Sequence, residues 1–99
     1  MEIKKSLNEA TLTIALEGRL DTTTAPLFEE EIKASLEGVT ELILDFSALD
    51  YVSSAGLRVI LAAQKTMSKQ GDMKLVGVND DIMEVFDITG FSDILTIER

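Results

Sequence analysis

The sequence predicts a single α/β domain on a mixed β-sheet, in the order β-β-α-β-α-β-α-β with the helices packed against the sheet. Three observations carry this. Short segments rich in Ile, Leu and Val recur along the chain with period-two alternation or nearly unbroken hydrophobicity, as strands require. Longer segments with helical spacing of apolar residues separate them from residue 24 onward. The first two strand segments, in contrast, are joined by a turn alone, so a hairpin opens a series of crossover units.

Taken in order, Ile3 to Leu7 alternates weakly and reads as a short edge strand, because Lys4 and Lys5 discourage further pairing. Asn8 and Glu9 make a turn, and Thr11 to Leu16 follows as a strand with Leu12, Ile14 and Leu16 on its buried side. The first helix starts near Thr24, with Thr23 or Thr24 as cap and Pro26 in the first turn. Glu29, Glu30 and Glu31 suit the positive end of its dipole, Phe28, Ile32 and Leu36 form its core stripe, and Gly38 ends it. Glu41 to Phe46, apolar but for Glu41 and Asp45, reads as a central strand covered on both faces.

The second helix is expected from Ser54 to Gln70, with Gly71 just past its end. Leu57, Ile60, Leu61 and Met67 share one arc, and Arg58, Lys65 and Lys69 form a basic stripe on another. Val59, Ala62 and Ala63 add apolar surface outside the first arc, and Gln64 falls inside it without an evident reason. Met73 to Val78 is a further strand. Asn79 or Asp80 caps a third helix through Ile88, buried by Ile82, Val85 and Phe86, and Thr89-Gly90 stops it before a last strand at Ile94 to Ile97.

Composition bounds the function. The 99 residues, 45% hydrophobic and 27% charged, suit one domain spanning 1–99. No segment has the length of a membrane span or the pattern of a signal peptide, so direct membrane insertion is not expected. The absence of cysteine removes thiol chemistry and favours a cytoplasmic setting. The absence of histidine removes the usual zinc ligand and general base, so no metal, cofactor or catalytic residue is assigned. A net charge of −9 argues against nucleic acid and fits a protein partner with a basic surface, or solubility alone.

The most distinctive stretch is Asp50-Tyr51-Val52-Ser53-Ser54-Ala55-Gly56-Leu57-Arg58, where a strand hands over to a helix N-terminus. Its serines admit three readings. Serine is a good helix cap, and Gly56 allows close packing. As a nucleophile, serine lacks a histidine base, and the spacing is not that of a Gly-x-Ser-x-Gly elbow. As a phosphate acceptor, it would gain about −1.5 to −2 charges where a helix dipole tolerates them and a protein interface would not. Gly18-Arg19-Leu20-Asp21 reaches the same rim if its strand runs parallel to the next.

These motifs carry a resemblance. Asp50 to Leu61, together with Gly18-Arg19-Leu20-Asp21 and Phe86-Asp87-Ile88-Thr89-Gly90-Phe91, resembles the STAS domain family (sulfate transporter and anti-sigma factor antagonist), and within it the free-standing bacterial anti-sigma factor antagonists. The resemblance implies a non-enzymatic phosphoprotein that regulates transcription by partner switching. Unmodified, it binds an anti-sigma factor that is also a serine kinase, which frees a sigma factor. Phosphorylation of a loop serine ends the binding, and a metal-dependent serine phosphatase restores it.

In the family pattern the acceptor lies two residues before the glycine, which here is Ser54, with Ser53 as the alternative. Gly18, Asp21, Ser53, Ser54, Gly56 and Arg58 are the partner-binding residues this implies, although Asp21 also reads as a turn or helix-start residue. Many relatives carry Asp at the position of Ser53 and Ser or Thr at that of Ala55, so this chain departs from the pattern there. A different role as a STAS subunit of a transporter complex, or as a sensory scaffold, is the other reading.

Overall fold

The computed structural model describes residues 1–98. Its elements are β1 (Glu2–Asn8), β2 (Thr11–Leu20), α1 (Ala25–Ser35), β3 (Glu41–Val52), α2 (Ser54–Met67), β4 (Asp72–Val76), α3 (Asp80–Thr89), a 3-10 turn at Phe91–Asp93 and β5 (Ile97–Glu98). They form one five-stranded sheet in the order β1-β2-β3-β4-β5, antiparallel at β1–β2 and parallel elsewhere. The expected element order and mixed sheet are therefore found.

Each parallel step moves one place in the same direction across the sheet. Right-handed crossovers then lay all three helices on the same face. Burial follows: Leu12, Ile14 and Leu16 on β2, Leu42, Leu44 and Phe46 on β3, and Met73 and Leu75 on β4 are buried, while the alternate residues are not. The expectation that the central strand is covered on both faces is thus corrected. Ile43 and Asp45 stand half-buried on an open sheet face. The core lies between the sheet and the helices, with Phe28, Phe46 and Phe86 fully enclosed.

Several boundaries shift for local reasons. β2 continues past Leu16 to Leu20 and β3 past Phe46 to Val52, because the two strands keep pairing across two irregularities in register. One of these lies at Gly18, whose φ of +101° is a conformation that a side chain disfavours. α2 ends at Met67 rather than Gln70. Gly71 is not a left-handed cap, and a Cβ there would collide with the Thr40 backbone carbonyl.

On α2, Val59 and Ala63 are buried, while Leu61 is only half-buried. Val59 lines a small cavity with Ala25 of α1. Gln64 lines a polar cavity of about 470 Å³ at the start of β4, which accounts for an amide near the core arc. β4 stops at Val76, where Gly77 turns with positive φ. Val85 is half-buried rather than core. The last strand is Ile97–Glu98, and Ile94 instead closes the 3-10 turn.

Candidate functional site

The carboxyl ends of β2 and β3 lie side by side, with Arg19 opposite Tyr51 and Leu20 opposite Val52. The Ser53 amide donates to the Leu20 carbonyl at 2.8 Å, fastening the serine loop to the end of β2. The Gly18–Asp21 and Asp50–Ser54 segments thus share one rim, as a parallel β2–β3 pair requires.

The two serines have different duties. Ser53 is the N-cap of α2: it has extended backbone, and its Oγ accepts the Gly56 amide at 3.2 Å. Ser54 is the first helical residue, is exposed, and has no hydrogen bond from its hydroxyl among the described residues. Gly56 is buried. A Cβ there would come within 2.7 Å of Leu20 Cγ and 3.1 Å of the Leu20 carbonyl, so glycine lets the first turn of α2 settle onto β2. Arg58 is exposed one turn after Ser54, on the same side of the helix.

Asp21 serves the start of α1. Its Oδ1 accepts the Thr23 amide at 3.0 Å, the Thr23 hydroxyl at 2.7 Å and the Thr24 amide at 3.1 Å. Thr24, the N-cap by position, makes no capping bond and instead donates its hydroxyl to the Arg19 carbonyl at 2.8 Å. The Thr23 hydroxyl above all, with the Thr24 and Thr23 amides, holds the Asp21 carboxyl below its ordinary value, against a smaller upward push from desolvation. The turn that Asp21 builds also carries Arg19, whose guanidinium carbon sits 4.2 Å above the Tyr51 ring centre.

Arg19 and Tyr51 were not singled out from the sequence. Tyr51 is exposed because burial along β3 changes from every second to every third residue after Phe46, a shift that period-two reading passes over. A third strand end joins the rim through Asn79. It caps α3 by accepting the Ile82 amide at 2.8 Å and donates to the Leu49 carbonyl at 3.0 Å. No group of His, Cys, Asp and Glu suited to a metal ion occurs among the described residues.

The model of the family described as STAS domain matches residues 2–99. The chain belongs to the STAS domain family. Among STAS relatives, BtrV of Bordetella bronchiseptica is 33% identical over 99 residues, covering 98% of this chain and 85% of that protein. The anti-sigma-B factor antagonist of Bacillus subtilis is 31% identical over 98 residues, covering 98% and 88%. Among solved STAS structures, the anti-sigma factor antagonist SpoIIAA of Bacillus in its unphosphorylated form superimposes with a TM-score of 0.78 at 19% identity, over 99% of this chain and 88% of that one. The shared STAS fold includes the mixed sheet and the helix order. No helix among the described residues is long and apolar enough to cross a membrane.

Proposed function

We propose that this STAS domain is an anti-sigma factor antagonist controlled by phosphorylation of Ser54. Unphosphorylated, it binds an anti-sigma factor that is itself a serine kinase and so frees a sigma factor. It acts by binding, without catalysis of its own, in the cytoplasm. The observation that carries the reading is the division of labour between the serines: Ser53 caps α2, while the exposed Ser54 hydroxyl is uncommitted among the described residues, at a rim shared by two strand ends. Supporting it, the Bacillus subtilis relative is named an anti-sigma-B factor antagonist, and SpoIIAA has been solved in phosphorylated and unphosphorylated forms.

In the transfer, the kinase moves the terminal phosphoryl group of ATP to Ser54 Oγ. The bond to the departing ADP breaks as the new O–P bond forms, and the hydroxyl proton leaves to a base on the kinase, since this chain has no histidine. The helix N-terminus tolerates the added charge of about −1.5 to −2, so the fold survives while a desolvated interface does not. A metal-dependent phosphatase removes the group. Gly18 and Asp21 shape the adjoining loop, Ser53 and Gly56 fix the pose of α2, and Ser54 and Arg58 face the partner.

Incubation with the cognate kinase and ATP, followed by phosphosite mapping, tests the assignment. Ser54→Ala is expected to abolish incorporation, and Ser54→Asp to weaken kinase binding by about tenfold or more without loss of thermal stability. Undiminished phosphorylation of Ser54→Ala would overturn the choice of Ser54.

A further inference from the structure

The chain has twice as many acidic as basic residues, 18 against 9, and most of its cations are neutralised locally. Lys4, Lys5, Arg19, Lys33 and Lys74 each lie within 4.0 Å of a carboxylate. Arg99 falls outside the described residues. The cations that remain, Arg58, Lys65 and Lys69, have no carboxylate partner among the described residues, and all belong to α2 and the turn that follows it. The cause is visible in the sequence: between Asp50 and Asp72 there is no Asp or Glu. Glu29 of α1 lines a small cavity with Arg58 but forms its ion pair with Lys33 at 3.7 Å.

The three cations also lie in line with Ser54. Arg58 follows Ser54 by one turn, Lys65 lies two turns beyond Arg58 on the same side, and Lys69 continues the row in the closing turn. All four are exposed. An exposed positive row on one helix, on a molecule that is otherwise strongly negative, is an oriented electrostatic feature. On a chain with a net charge of −9, such a row favours approach of an acidic segment along α2 over approach to the acidic remainder of the surface.

We propose that the Arg58–Lys65–Lys69 row of α2 is a docking surface for an acidic surface segment of the anti-sigma factor kinase. This rests on the proposed function and adds the chemistry of the partner's contact face. It extends the interface from the serine rim along the length of α2. It also gives phosphorylation a second effect, because a phosphate on Ser54 stands at the head of the row, within reach of Arg58 one turn away, and offsets much of the charge that attracts the partner.

The test uses the full chain and the kinase isolated by its ATP-dependent phosphorylation of this protein. Affinity is measured from about 50 to about 300 mM salt, a range over which screening of exposed charges rises steeply. The double variant Lys65→Glu/Lys69→Glu leaves Ser54 and Arg58 in place. It is expected to bind about tenfold or more weakly and to lose most of the wild-type salt dependence, with its melting temperature unchanged. Lys4→Glu/Lys5→Glu, both on β1, carries the same net charge and is expected to bind nearly as wild type.

Equal weakening by both double variants would overturn the inference, because the effect would then be one of net charge. Wild-type affinity and salt slope in Lys65→Glu/Lys69→Glu would overturn it while leaving the proposed function standing. Absence of any binding by the wild-type chain would overturn the proposed function and the docking surface together. Retention of the wild-type chain, but not of Lys65→Glu/Lys69→Glu, on phosphatidylserine vesicles in place of the kinase would overturn it in favour of a lipid surface.

Discussion

The Gly56 amide is satisfied by Ser53 Oγ, whereas the Ser54 hydroxyl holds nothing among the described residues. Ser53→Ala is therefore expected to lower stability by about 1 kcal/mol, the usual loss of an N-cap. Ser54→Ala should stay within about 0.5 kcal/mol of wild type. Urea unfolding of the two variants reads this directly, and the reverse order would mean that the serines had exchanged duties. Asp21 supplies a dependence on pH. Its carboxyl, held below the ordinary Asp value of about 3.9 chiefly by the Thr23 hydroxyl, contributes stability above that pH and loses it as pH falls through the lowered value. The deficit of Asp21→Asn at neutral pH should accordingly shrink as unfolding is followed to acid pH. A deficit constant with pH would show that the charge is not involved. The sequence allowed Asp21 to be either a site residue or a helix-start residue. The bonds that Thr23 and Thr24 make to its Oδ1 show a helix-start duty, which depends on where those donors fall in space.

At the scale of elements, the contact that positions the site is that of α2 on the end of β2, with Gly56 over Leu20. Gly56→Ala must displace a fully buried leucine or its carbonyl and is expected to cost about 1–3 kcal/mol, as overpacking does. Truncating the same leucine should relieve part of the strain. In a double-mutant cycle, Leu20→Ala and Gly56→Ala are expected to be clearly less than additive, and strict additivity would mean that the glycine acts elsewhere. The existence and order of the elements were legible because hydrophobic periodicity is a local property. Their ends were less so. β2 and β3 overran their expected limits because each strand is prolonged by pairing with the other, and the β4 end was set by the turn at Gly77. The tie between Ser53 and Leu20 joins residues far apart in the chain, and no local pattern announces it.

Over the whole molecule, one core on one side of one sheet holds every element in place, so the rim has no independently stable part. Phe46 sits fully buried on the central strand, and Phe46→Ala should cost about 3–5 kcal/mol, a large share of the stability of a domain this size. Far-UV circular dichroism and kinase binding are expected to be lost in a single coincident transition, and binding lost well before secondary structure would argue against that coupling. By itself the sequence determined the strands and helices, their order, a serine-bearing helix start and a family likeness, because each rests on residues close together in the chain. The tertiary structure decided the rest. It showed that the apolar central strand has one open face, that the Gly18–Asp21 and Asp50–Ser54 segments share a rim, and that Ser53 caps while Ser54 is exposed. It also set no carboxylate of another element against the cations of α2 among the described residues, a helix whose own sequence supplies none. The physical reason is common to all of these: strand register, helix placement and ion pairing join residues distant in sequence, and only packing brings them together.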